Sequence, residues 1–171
     1  AEARRLAEAR GWAIAPDGAH WRRVVPSPAP LEIPDLRVIR LLLAQGVVVI
    51  CAGGGGIPVV RRADGSLTGV EAVIDKDHAS ALLARGIGAD ALLMLTDVEG
   101  VLEGFGTPEA RRIARLTVDQ AQRMALPAGS MGPKVAAGQG FVAGGGRLAG
   151  IGRMEDAAAI LIGTAGTVIS A

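Results

Sequence analysis

Apolar residues recur along this chain with two different periods, and their alternation predicts helices interleaved with strands. From Asp35 onward, Leu36, Ile39, Leu42 and Leu43 fall at helical spacing, and Gly46 ends the run. Residues 47–51 follow as an unbroken Val-Val-Val-Ile-Cys stretch, the pattern of a strand buried on both faces. Residues 91–95 predict a second buried strand, ended by Thr96-Asp97-Val98, and further strands are expected over 147–151 and 167–169. Helices are expected over 76–85, 118–125, from Gly129 to about Ala143, and over 155–161. The first part of the chain reads differently. A helical pattern over 2–9 stops at Gly11, and two short strands, 12–14 and 21–25, flank the turn Pro16-Asp17-Gly18. Pro26-Ser27-Pro28-Ala29-Pro30 is a stiff extended segment, and 59–61 with 66–70 predict a hairpin about Ala63-Asp64-Gly65.

Helices alternating with buried strands define an α/β layered sheet, mostly parallel, with helices on both faces. At 171 residues the chain reads as a single domain with one substantial core. Ligands of such sheets bind beyond the carboxyl ends of the strands, which directs attention to the loops after Cys51 and Leu95.

Composition narrows the functional classes. With 18 Lys plus Arg against 17 Asp plus Glu, the charge balance calls for no nucleic-acid or membrane partner. Two Trp, two Phe and no Tyr leave few platforms for stacking single-stranded bases. The longest apolar runs are far too short to span a bilayer, and the first ten residues read as an exposed helix rather than a signal peptide. A single cysteine, Cys51, excludes an internal disulfide, fits a reducing cytoplasm and is expected as a small core residue of its strand. His20 and His78 have no second ligand at metal spacing, so no metal-ligating residues are assigned.

The basic residues are nearly all arginine, and lysine occurs only at positions 76 and 134. Lys76 lies in Asp75-Lys76-Asp77 at an expected helix start. This is either a solvated N-terminus or a lysine reaching phosphate oxygens while Asp77 positions charge around it. Lys134 closes Gly129-Ser130-Met131-Gly132-Pro133-Lys134, where Ser130 can cap a helix and Pro133 is tolerated in its first turn. An exposed lysine and a clamp on a transferring phosphoryl group both fit that position. Gly53, Gly54 and Gly55, in a run of four glycines, either bring backbone N–H groups to an anion or make a tight turn. Thr96-Asp97-Val98 is either a nucleoside border or a plain strand cap. Arg22 and Arg23 either meet a phosphate or line a solvated strand.

Taken in order, the runs WRRVVPSP (21–28), AGGGGIPV (52–59), GVEAVIDKD (69–77), LTDV (95–98) and GSMGPKV (129–135) resemble the carbamate kinases, within the amino acid kinase superfamily. The resemblance implies a three-layer αβα sandwich and the reversible reaction of ATP and carbamate to ADP and carbamoyl phosphate, with Mg²⁺ accompanying the nucleotide. It implies nucleotide contact by Lys76, stabilisation of the moving phosphoryl group by Lys134, and Asp77 holding both lysines. Gly53–Gly55, Thr96-Asp97-Val98 and Ser130-Met131-Gly132 are then expected around the nucleotide. The resemblance covers the C-terminal, nucleotide-binding half of such an enzyme, with a homodimer or the missing N-terminal half as its partner and a cytoplasmic setting. A noncatalytic nucleotide-binding module and another acid kinase of the superfamily are the alternatives.

Overall fold

The computed structural model describes residues 2–126 and 131–171. By its internal contacts the chain divides into two compact units, Ala1–Pro28 with Ile57–Ile74, and Ala29–Gly56 with Asp75–Ala171.

The smaller unit holds helix α1 (Glu2–Arg10), an antiparallel hairpin of β1 (Ile14–Asp17) and β2 (His20–Arg23), and a second hairpin of β3 (Val59–Arg61) and β4 (Leu67–Gly69). Asp64 shapes the second turn by accepting hydrogen bonds from the Ser66 amide and hydroxyl, at 2.9 and 2.7 Å. Arginine–aromatic stacking also contributes to the packing of this unit. The guanidinium groups of Arg10 and Arg23 lie 4.8 and 4.5 Å from the Trp12 ring centre, and that of Arg4 lies 5.0 Å from Trp21. Arg23 also pairs with Glu71, so its charge is committed within this unit while Arg22 is exposed.

The larger unit carries a four-stranded sheet. In chain order its elements are α2 (Leu36–Ala44), α3 (Lys76–Ile87), β5 (Ala91–Thr96), β6 (Leu102–Glu103), β7 (Arg111–Arg112), β8 (Arg115–Thr117), α4 (Val118–Arg123), α5 (Met131–Ala143), β9 (Leu148–Arg153), α6 (Ala157–Leu161) and β10 (Thr167–Ser170). Strand order is β5-β9-β10-β8, with β5–β9 and β10–β8 parallel and β9–β10 antiparallel. The register sets Leu92 beside Ala149 and Met94 beside Ile151. The short β6–β7 pair forms a separate antiparallel hairpin.

Strand alternation decides which helix covers which face. Ala149, Met94 and Ile169 point toward α5, where a Cβ on Gly138 would meet all three side chains at 3.0–3.1 Å. Gly150 points to the opposite face, and a Cβ there would sit 2.3 Å from Ile160 of α6. Helices therefore lie on both faces of a mixed α/β sheet, as the sequence predicts. The core is mainly aliphatic with one aromatic, joining Leu92, Met94, Val135, Phe141, Ala149, Ile151 and Ile169.

Two expectations fail. Residues 47–51 form no strand among the described residues, and Val48 and Ile50 are 89% and 98% exposed. Cys51 is exposed as well rather than part of the core. A run apolar on every side needs cover on two faces and a strand beside it, and among the described residues, 47–51 pair with no strand, β5 being the edge of the sheet.

Candidate active site

Helix α3 begins at Asp75, whose backbone is extended (φ −62°, ψ 129°) and whose Oδ1 accepts the amide hydrogens of Asp77 and His78, each at 3.0 Å. This is an N-cap that satisfies two of the donors a helix start leaves open. Burial raises the Asp75 pKa, but the hydrogen bonds and charge of His78, with the Asp77 amide, outweigh it and hold the carboxyl below its ordinary range. The helix ends at Gly88, which takes the left-handed conformation (φ 70°) that an Ala would resist.

The cap sets the orientation of the next two side chains. Lys76 turns its Nζ onto Asp77 Oδ1 at 3.0 Å, and Lys134, from the first turn of α5, donates to Asp77 Oδ2 at 2.9 Å. Both lysines of the chain thus meet on one carboxylate. Their surroundings differ. Lys134 is 5% exposed and Asp77 8% exposed, whereas more than half of the Lys76 side chain faces solvent. The hydrogen bond to Asp77 is the first cause that raises the Lys76 pKa above its ordinary value, so this ammonium keeps its proton through the neutral range. Two cations on one anion leave the trio with one positive charge in excess.

Topology fixes the end of the sheet at which the trio lies. Helices α3 and α5 each lead by a short loop into a parallel strand, β5 and β9 respectively, so both N-termini sit toward the carboxyl ends of those strands. Thr96-Asp97-Val98 leaves the carboxyl end of β5 at the same edge. Thr96 Oγ1 donates to Asp97 at 3.0 Å, and Val98 is half-buried. Met131 and Gly132 open α5 and are half-buried, and Ser130 lies outside the described residues. Gly53 and Gly55 spend their amides inside a tight turn, on the carbonyls of Cys51 and Ala52 at 2.8 Å each. The structure therefore joins Lys76, Asp77 and Lys134 through direct bonds, and gives the glycine run the geometry of a turn.

A cavity of about 340 Å³ borders the same helix, between Met124, Leu126, Gly132, Val135, Ala136 and Gln139. Gly132 is about 200° round the helix from Lys134, at 100° per residue, so this cavity opens on a different side from the ammonium groups. Charge and buried ion pairing, not concavity, mark the chemical site. Among the described residues no group of three or more His, Cys, Asp or Glu is placed to hold a metal ion. No helix among them is long and apolar enough to cross a membrane. Two features escaped the sequence reading: the bond from His78 Nδ1 to Asp75 at 2.9 Å, and the burial of Lys134. A polar residue three positions after a capping aspartate lies within reach of it, but the ring orientation that makes the bond leaves no trace in that spacing.

Fold and cluster define an α/β protein whose charged residues gather beyond the carboxyl ends of parallel strands, where such folds keep their chemistry. More narrowly, the chain belongs to the amino acid kinase family, whose profile matches residues 6–151. It is 50% identical over 171 residues to a carbamate kinase of Rhizobium meliloti, covering 99% of this chain and 53% of that protein. It is 48% identical to a carbamate kinase of Escherichia coli K12, covering 96% of this chain and 54% of that one. Among solved structures, a carbamate kinase from Giardia lamblia bound to AMP-PNP superposes with a TM-score of 0.88 at 38% identity, over 99% of this chain and 55% of its own. The chain spans about half the length of the relatives it matches.

Proposed function

We propose that this chain supplies the nucleotide-binding part of a carbamate kinase-type phosphotransferase, catalysing ATP + carbamate ⇌ ADP + carbamoyl phosphate. The observation that carries the reading is the convergence of the only two lysines on Asp77, at the N-terminal ends of two helices. Phosphoryl transfer asks little covalent chemistry of a protein; it asks for positioning and for positive charge where the equatorial oxygens lie. In the forward direction the bond from the γ-phosphorus to the ADP oxygen breaks and a bond to a carbamate oxygen forms, so no proton need be gained or lost in the transfer itself. Lys76, exposed and firmly protonated, reaches the polyphosphate. Lys134, desolvated and aimed by Asp77, acts on the phosphoryl group in flight, where a low-dielectric setting strengthens its field.

Thr96-Asp97-Val98 and Ser130-Met131-Gly132 border the nucleoside in this reading, and Gly53–Gly55 lie near the phosphates. The support for the first is its place at the same edge of the sheet as the two helix starts. Mg²⁺ would arrive with the nucleotide, held by phosphate oxygens and water rather than by a protein cage. An AMP-PNP-bound relative of 38% identity favours ATP and ADP as ligands. The single exposed thiol suits a reducing, cytoplasmic setting.

Turnover requires, in this reading, the polypeptide that makes up the rest of the relatives' length, or a dimer partner. The test is complementation. The chain is mixed with a separately purified N-terminal half of a relative, and ATP formation from carbamoyl phosphate and ADP is followed. Activity that appears only on mixing, and disappears with Lys134→Ala, is the expected outcome. Association without activity from the wild-type chain would instead make this a nucleotide-binding module.

A further inference from the structure

The lysine pair is only as well aimed as the carboxylate between them, and that carboxylate is held from behind. Asp75 Oδ1 receives three hydrogen bonds: the amides of Asp77 and His78 at 3.0 Å each, and His78 Nδ1 at 2.9 Å. A capping residue needs only the first two. The third comes from a ring nitrogen one turn into the helix, and because a carboxylate can only accept, Nδ1 carries the proton. His78 thereby fixes the side-chain rotamer of Asp75, Asp75 fixes the backbone of Asp77, and Asp77 holds Lys76 and Lys134 at 3.0 and 2.9 Å.

We infer that Asp75 and His78 form a positioning pair, which keeps Asp77 in the one orientation that binds both ammonium groups. Neither residue touches the proposed reacting atoms. The inference depends on the kinase reading for what the lysines do, and on the hydrogen-bond geometry alone for how they are held.

Because the chain has two lysines, their chemical accessibility reports on the arrangement directly. The full chain is treated with a water-soluble amine-acylating reagent at a temperature where it is fully folded, and modification of the Lys76 and Lys134 peptides is timed by mass spectrometry. In the wild type, Lys134 is the protected one. Asp75→Ala is expected to speed Lys134 acylation by about fivefold, the factor that loss of an N-cap implies, and Asp75→Asn, which keeps an accepting oxygen, to restore most of the protection. His78→Ala is expected to raise the rate about threefold, as for one lost hydrogen bond, while His78→Asn presents a donor where Nδ1 stood and recovers it. Should Asp75→Ala fail to fold, the two His78 variants carry the test.

Leu116→Ala, a buried change in β8, controls for general loosening. An unchanged Lys134 rate in His78→Ala overturns the inference, and so does an equal rise in Leu116→Ala. Adding AMP-PNP with Mg²⁺ separates this claim from the functional one: no slowing of Lys76 acylation counts against the kinase reading, and leaves the positioning pair to be judged on the variants.

Discussion

Asp77 lies between two ammonium groups whose exposure differs widely, and that difference predicts what each substitution does. Lys134 is buried and its partner Asp77 nearly so, which makes each necessary to the other. Asp77→Asn leaves a buried ammonium facing a neutral amide, and a loss of about 3–5 kcal/mol is expected in urea unfolding. Asp97→Asn, at an exposed position, should stay within about 0.5 kcal/mol in the same experiment. Asp75 adds a pH signature. Its folded carboxyl is held below the ordinary range by His78 and the Asp77 amide despite burial, so the stability it contributes is present above the unfolded value and is lost as pH falls through the folded one. Asp75→Asn should flatten that acid limb by lowering stability in the neutral region, while stability at low pH stays close to that of the wild type. An acid limb as steep as that of the wild type would contradict the assignment.

Elements show where local pattern is informative and where it is not. The start of α3 is legible in the chain because Asp75-Lys76-Asp77 puts acidic residues where a helix start favours them. The start of α4 is a capping box, Thr117 with Gln120, so Thr117→Ala should lower stability by about 1 kcal/mol in thermal unfolding. Strand β8 leaves no local signal, because Leu116 is its one buried residue, between an arginine and a threonine. What makes it a strand is pairing with β10, some fifty residues onward, and local periodicity holds no such information. The antiparallel sense of β10 against β9 was illegible for the same reason. Residues 47–51 fail in the opposite direction: β-branched composition records a capacity to be buried, while burial itself needs a neighbour. Of the candidate site, the lysines were conspicuous through scarcity and Asp77 through its place beside one of them. The His78 bond depends on a ring orientation that no spacing rule encodes. Close approach of α6 to the sheet gives a further check: Gly150→Val would drive a side chain into Ile160, and an overpacking cost of about 1–3 kcal/mol is expected in urea unfolding.

At the scale of the whole molecule, several large aliphatic side chains of the larger unit are exposed, including Leu31, Val38, Leu41, Val48 and Ile50. Exposed apolar side chains that gather into a patch mark a place where protein meets protein, and Val48 and Ile50 are expected to contribute to one. The double variant Val48→Glu, Ile50→Glu should therefore reduce self-association in sedimentation velocity without lowering the melting temperature, since neither side chain is packed. A drop in melting temperature would mean that the segment is part of the folded core after all. The complementation assay addresses the proposal that the chain completes its site with a partner.

Two ammonium groups share one task in the proposed function, the holding of a polyphosphate. Calorimetric titration of AMP-PNP with Mg²⁺ into the purified chain tests it most directly, using Lys76→Ala, Lys134→Ala and the exposed change Arg5→Ala. One site is predicted in the wild type and in Arg5→Ala, with affinity at least about tenfold weaker in each lysine variant, as expected when a charge-assisted contact worth more than about 1.4 kcal/mol is removed. Equal affinity in all four proteins, or no binding by the wild type, would contradict it.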